Sequence, residues 1–163
     1  MGLPIQHLES YIDTGLAALK AGLPTRIQAV NQTHTDFVLP TPTADSYFAG
    51  GLSTYLAFPS VELAAPDWTL GNPSLRQQGW DGTATVTARI LYQHVDFDTL
   101  YRSVMRYGRC LTEVLAQPDA LGVGQTVSAM RGFYRVDPST GEREEFIAGA
   151  LVICTLDVFE AAP

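Results

Sequence analysis

From Phe146 to Phe159 the chain reads Phe-Ile-Ala-Gly-Ala-Leu-Val-Ile-Cys-Thr-Leu-Asp-Val-Phe, an almost unbroken apolar run rich in β-branched residues. Branching at Cβ stiffens the side chain and suits the pleated backbone, so the run is first of all a strand. It is too short, and with Thr155 and Asp157 too polar, to cross a bilayer. A strand this apolar has to be shielded from water. We therefore expect it to be the buried central strand of a sheet, with the rest of the chain arranged around it.

With 163 residues, 46% of them hydrophobic, a single domain over 1–163 can build its own core without metal or disulfide staples. From Pro4 to Ala21, Ile5, Leu8, Ile12, Leu16 and Leu19 recur at the helical period, and Gly22 and Pro24 stand where they would end that helix. A short strand from Thr25 to Asn31 is expected next. Residues 32–53 lose all periodicity and carry two prolines and two glycines, which predicts a long extended arm. Phe37, Val38, Leu39, Tyr47 and Phe48 make it too apolar for a plain linker, so it should pack on its own domain or on a neighbouring subunit.

Tyr55 to Ala64 predicts a strand interrupted at Pro59, and Asp67 to Gly82 an irregular stretch. Thr83 to Val95 alternates Ala84, Val86, Ala88, Ile90 and Tyr92 with polar residues, the mark of a half-buried strand. Asp96 to Gln117 is the clearest helix, with Asp96 or Asp98 as N-cap and Pro118 as stop. Leu100, Tyr101, Val104, Tyr107, Leu111, Val114 and Leu115 fall on one side of it, and Arg102, Arg106, Arg109 and Glu113 on the other. Thr126 to Val136 and Glu144 to Phe159 predict a hairpin turning through Asp137–Gly141. The order α-β-β-β-α-β-β describes an α+β fold: a mainly antiparallel sheet carrying two amphipathic helices on one face, the other face partly exposed.

Little in the sequence converges on chemistry. His7, His34 and His94 are scattered without metal-ligand spacing, and Cys110 and Cys154 belong to no C-x-x-C pair, so we expect buried or surface structural roles and no metal site. Gly122-Val-Gly124 lacks the lysine and the opening helix of a phosphate loop. No G-x-S-x-G elbow surrounds Ser53, Ser103 or Ser128. Asp96 and Asp98 are placed to cap a helix and complement its dipole. The expectation is a chain with no catalytic residue and no cofactor, and not an enzyme. The net charge of −7 argues against a protein that grips nucleic-acid phosphates. The first apolar stretch is interrupted by Gln6, His7, Glu9 and Asp13, so no secretion signal is expected, which points to a cytosolic origin.

Arg102, Arg106 and Arg109 form one stripe of a helix, where like charges repel unless something opposes them. Either they are a solvated face or they meet acidic residues of an identical neighbour, with Glu9, Asp13, Glu142, Glu144 and Glu145 as partners. Together with Phe37, Leu39, Tyr47 and Phe48 of the arm, these arginines are the candidate subunit-interface residues.

The element order, the strand-to-helix passage from Val86 to Leu111 and the ending Ala150–Glu160 together resemble the tail terminator family of long-tailed bacteriophages, the lambda-like head-tail joining proteins. The resemblance implies a virion protein, a hexameric ring between the last ring of the tail tube and the neck or stopper protein. It would end tube polymerisation and let DNA pass through its lumen without sequence-specific binding and without a membrane. A neck, stopper or head-closure protein is the nearest alternative. From a different class, a small-molecule-binding or enzymatic α+β domain would use a pocket lined by Trp68, Trp80, Tyr92 and His94.

Overall fold

A computed structural model describes residues 4–50, 57–74, 79–122, 127–137 and 146–161. In chain order these form α1 (Pro4–Thr33), β1 (Tyr47–Ala49), β2 (Ser60–Ser74), β3 (Gly79–His94), α2 (Phe97–Leu115), β4 (Val127–Asp137) and β5 (Phe146–Ala161). The strands make one sheet ordered β1-β2-β3-β5-β4. The three-residue β1 runs parallel to β2, and every other neighbour is antiparallel. The fold is thus α+β in the order α-β-β-β-α-β-β.

One face of the sheet is covered by both helices. Ala84, Val86, Ala88 and Ile90 of β3 lie opposite Leu156, Cys154, Val152 and Ala150 of β5, and all eight are buried. Val61 and Leu63 of β2 continue the same face, and with Leu19, Leu23, Ile27, Leu100, Tyr107 and Leu111 from the helices they form one core. On the other face, Thr83 is exposed and Thr85, Thr87, Leu151 and Ile153 are half-buried. There the buried carboxylate of Glu62 pairs with the guanidinium of Arg89, its register partner across β2 and β3.

The Phe146–Phe159 run is an inner strand, but β3 holds the centre of the sheet. Its residues alternate, because only one sheet face is covered by helices. An apolar run alone does not distinguish burial on one face from burial on both.

Three expectations about element boundaries are overturned. The first helix does not end at Ala21, and Thr25–Asn31 is not a strand: α1 runs on through Pro24 to Thr33. Proline inside a helix costs about 3 kcal/mol through the lost hydrogen bond and the ring clash. Leu23, Ile27 and Val30 around and beyond it are buried, at about 1.5–3 kcal/mol each, so packing wins. Gly22 is not a cap. A Cβ there would lie 3.1 and 3.2 Å from the two γ-carbons of Val114, so the missing side chain lets α1 approach α2 closely.

The buried stripe of α1 is also rotated relative to the expected one. Tyr11, Gly15, Leu19, Leu23, Ile27 and Val30 are buried, while Ile12 and Leu16 sit at its margin.

The stretch Asp67–Gly82 is largely strand, with Asp67, Trp68, Thr69 and Leu70 of β2 paired to Thr85, Ala84, Thr83 and Gly82 of β3. Gly71, Pro73 and Gly79 suggested irregularity, and the strand does absorb two register shifts, between Ala64 and Asp67, which takes up Pro66, and between Leu70 and Pro73. The first strand of the sheet, β1, is not among the expected strands: it lies at Tyr47–Ala49, inside the segment read as an arm without regular structure. The strand expected from Tyr55 begins at Ser60, directly after the cis bond Phe58–Pro59. Residues 75–78 lie outside the described residues, as does the turn expected through Asp137–Gly141 beyond Asp137, and with it Glu142, Glu144 and Glu145.

Candidate assembly surfaces

The helix α2 organises the surface because three of its sides meet different surroundings. It starts where the Asp96 carboxylate accepts a hydrogen bond from the Thr99 N–H at 2.7 Å, and hydrogen bonding to Thr99, through its side chain first and its backbone second, holds that carboxyl below its usual range. Asp98 accepts from Arg102 at 2.8 Å, one turn on. The acidic pair thus caps and braces a helix. Leu100, Val104, Tyr107 and Leu111 point to the sheet.

A second side of α2 is covered by the arm and α1. The Arg106 guanidinium donates to Asp36 at 2.8 Å and lies 4.2 Å from the centre of the Phe37 ring. The Tyr107 hydroxyl donates to the Pro40 carbonyl at 2.6 Å. Asn31 closes the base of the arm by donating to Leu39 O at 3.0 Å and accepting from Leu39 N–H at 2.8 Å. Glu113 accepts from Arg109 at 2.8 Å and faces Arg26 of α1 at 3.7 Å.

Each arginine of the expected interface stripe therefore meets a carboxylate of its own chain: Arg102 with Asp98, Arg106 with Asp36, Arg109 with Glu113. Glu9 and Asp13 are not among these partners. Of the arm residues, Leu39 and Tyr47 are buried in the chain's own core, while Phe37 and Phe48 are half-buried. The arm thus packs on its own domain through Leu39 and Tyr47. Val38 is the large apolar residue that points outward among the described residues of the arm, 76% exposed.

The third side of α2 is what the sequence reading missed. Phe97, Tyr101 and Met105 recur every fourth residue and remain 48%, 44% and 42% exposed. Tyr101 was expected in the core stripe, but at 100° per residue it lies on the flank that overhangs β4. Tyr134 of β4 continues this flank: a Cβ on Gly108 would come within 3.0 Å of its ring, so the tyrosine lies against the helix at that glycine. Phe146 stacks edge-on against Phe97 with centroids 5.6 Å apart. The signal was present as the i, i+4, i+8 spacing of three large apolar residues, but a helical wheel does not say which neighbours are covered.

The opposite end of the sheet is different. A groove of about 490 Å³ there is lined by Glu9, Ile12 and Asp13 of α1, by Ala49 and Gly50, and by Ala64, Ala65 and Pro66 of β2.

The residues suggested for a ligand pocket are not brought together. Trp68 pairs with Ala84, and eight further residues of β3 put Tyr92 and His94 roughly 27 Å or more away along the strand. His94 instead accepts the Asp96 N–H at 3.0 Å, closing the turn into α2. Among the described residues no three His, Cys, Asp or Glu side chains converge on a metal position, and no helix is long and apolar enough to cross a membrane. Ser103 and Ser128 donate to the carbonyls of Thr99 and Thr155. Cys110 and Cys154 are free and buried, and burial pushes both thiols up to about 11.

No protein-family model matches the chain, and no curated protein is similar to it at a significant level. Among solved structures, a chain in the virion of a native gene transfer agent particle is similar over 87% of this chain and 96% of its own, at 12% identity and a TM-score of 0.41. A likeness that distant decides neither family nor function.

Proposed function

We propose that this protein is a structural component of a phage-type virion, a ring subunit at the head-proximal end of a tail tube that ends tube growth and joins the tail to the neck. The observation that carries this reading is the open apolar flank of α2 and β4. Large apolar side chains grouped on one flank mark a contact surface, and here Phe97, Tyr101, Met105 and Tyr134 are grouped in that way. The sheet also ends in two unlike edges at opposite sides of the domain. Ring closure needs that arrangement, because each subunit must present two different faces related by a rotation.

The resemblance of Val86–Leu111 and Ala150–Glu160 to tail terminators supports this choice of assembly. The net charge of −7 suits a ring through which DNA passes without being held. In this reading the protein is not an enzyme, its partners are copies of itself, the tube protein and the neck or stopper protein, and its place is the virion.

The test is the mass of the purified protein over a range of concentrations, with and without purified tail tubes, combined with negative-stain imaging. Rings of about six subunits on one tube end are the expected result. Binding to a portal or adaptor with no affinity for tubes would move the assignment to a stopper. A monomer that binds neither would end it.

A further inference from the structure

The two edges of the sheet are not equally protected. At one end β1 is only three residues long and covers β2 opposite Val61–Leu63. Beyond it β2 is blunted by Pro66, Pro73 and its two register shifts. Short strands, prolines and bulges are the means by which proteins keep an edge from pairing with another chain. At the other end β4 runs from Ala129 to Asp137 with no proline and no register shift, and among the described residues no strand pairs with its outer side.

The cover above β4 is incomplete as well. α1 lies over β1, β2 and β3, and α2 mainly over β3 and β5. On the helix side of β4, Met130 is half-buried while Gly132 and Tyr134 are exposed. A Cβ on Gly132 would meet nothing closer than the Leu151 carbonyl oxygen at 3.8 Å, so this strip is hollow at its middle. Phe97, Tyr101 and Met105 stand beside it, and together with Tyr134 and Phe146 they are 36–50% exposed. For side chains of this size that leaves roughly 400 Å² of apolar surface on one copy. A specific interface takes about 800 Å² from each partner. The flank supplies half of that, and the edge of β4, about 37 Å long, adjoins it to supply the rest.

We infer that β4 pairs antiparallel with β4 of a second copy about a two-fold axis, so that two sheets become one and the two aromatic flanks close over the join. The occupant has to do two things at once: add a strand to the edge and set apolar surface beside α2. A single extended peptide does the first and leaves Phe97 and Tyr101 in water. A second copy arriving by its β1–β2 edge has no straight strand to offer. A second copy arriving by β4 does both, because its α2 stands at the same height above its own β4 and on the same side of the joined sheet. The contact is isologous, so it consumes the straight edge of each copy and closes at a dimer. It does not rest on the ring reading, since it concerns the chain in solution before any contact with tube or neck.

The experiment reads the mass of the full chain by sedimentation and native mass spectrometry, without tail tubes. Gly132→Lys puts a charge on the open strip, where the folded copy has room for it. Tyr101→Glu with Met105→Glu spoils the overhang. Val38→Glu on the arm is the control, and circular dichroism with thermal unfolding checks that each variant keeps the fold. Single cysteines placed along β4 from Ala129 to Val136 add a readout that a folding defect does not mimic. The native Cys110 and Cys154 are buried and stay silent.

We expect a wild-type dimer whose dissociation constant rises at least tenfold with Gly132→Lys and with the glutamate pair, and does not move with Val38→Glu. The cysteine nearest the axis should form a disulfide with its own counterpart, while those two or more residues away should not, because antiparallel strands carry them apart. A monomer at every concentration overturns the inference and leaves the ring reading to the experiment with tubes. A larger ring with no self-cross-link along β4 overturns it in favour of a head-to-tail contact. A dimer that survives Gly132→Lys, or that forms no cross-link through β4, places the contact elsewhere and overturns it too. Cross-linking of β4 to the tube protein alone would give the edge to that partner instead.

Discussion

The Tyr107 hydroxyl donates to the carbonyl oxygen of Pro40 at 2.6 Å, tying the middle of α2 to a segment that precedes it by 67 residues. Tyr107 is fully buried and its ring meets Tyr92 edge-on at 5.6 Å, so the hydroxyl is the only polar end of an otherwise apolar side chain. Tyr47 has the opposite character: its hydroxyl is buried with no hydrogen-bond partner among the described residues, and burial pushes its pKa up to about 12.

These two tyrosines predict opposite responses to the same change. Tyr107→Phe leaves the Pro40 carbonyl without its donor and should cost about 0.5–1.5 kcal/mol. Tyr47→Phe removes a buried unsatisfied group and should be neutral or stabilising by up to about 1 kcal/mol. Urea unfolding of both variants checks the pair. Equal losses at the two positions would mean that Tyr47 has a partner.

The arm should loosen in acid. Asp36 has its pKa lowered, chiefly by the hydrogen bond from Arg106. A carboxyl depressed in the folded state contributes stability that is present above its unfolded pKa, about 3.9, and is lost as pH falls through the folded value. The clasp of Asp36, Arg106 and Phe37 should therefore hold at neutral pH and fade only below about pH 4. Hydrogen exchange of the Asp36–Pro42 segment should rise there. Asp36→Asn should give the faster exchange at every pH, with no step.

Replacing Pro24 tests why α1 is one helix. Pro24→Ala restores an N–H that can bond one turn back, and it removes the ring clash. It also releases the unfolded chain from a restraint worth about 0.4–1 kcal/mol. The net expectation is a gain of about 2 kcal/mol, seen as a higher midpoint with an unchanged slope in denaturant. A loss would mean that Pro24 itself packs where alanine leaves a hole.

That same residue marks the limit of what was legible. Where local pattern and tertiary packing agree, as in α2 with its Asp96 cap and Pro118 stop, or in the alternation of β3 from Ala84 to Ile90, the elements were readable residue by residue. Where they disagree, packing prevailed: α1 crosses Pro24 because Leu23, Ile27 and Val30 are buried, and β2 absorbs Pro66 and Pro73 at register shifts. The site was harder to read than the fold. The arginine stripe was visible as a stripe, but Arg106 is paired with Asp36, 70 residues away, a pairing that no local spacing encodes. The exposed flank of Phe97, Tyr101 and Met105 was hidden for the complementary reason, that apolar residues at helical spacing look alike whether or not something covers them.

Gly22 should tolerate nothing large. Leucine at this position would drive a side chain into Val114, whose γ-carbons already lie 3.1 and 3.2 Å from where a Cβ would stand. Overpacking of this kind costs about 1–3 kcal/mol. For a domain of this size that is a fall of roughly 2 to 12 °C in Tm. Combining Gly22→Leu with Val114→Ala should recover part of the loss, since the two side chains compete for one space, and strict additivity of the two would show that they do not meet.

The two cysteines supply a reporter of opening. Burial raises both thiols to about 11, and both side chains are inaccessible. At pH 8 only about a thousandth of such a thiol is thiolate, the form that attacks a disulfide reagent. Labelling of native protein should therefore be orders of magnitude slower than in urea, and it should track unfolding rather than reagent concentration once the reagent is in excess. Cys154 is held between Val86 of β3 and Met130 of β4, and Cys110 on the inner side of α2. Separate rates for the C110S and C154S variants would then report helix opening and sheet opening independently. A thiol that reacts rapidly in the folded state would contradict the burial assigned to it and would place that cysteine at an exposed surface.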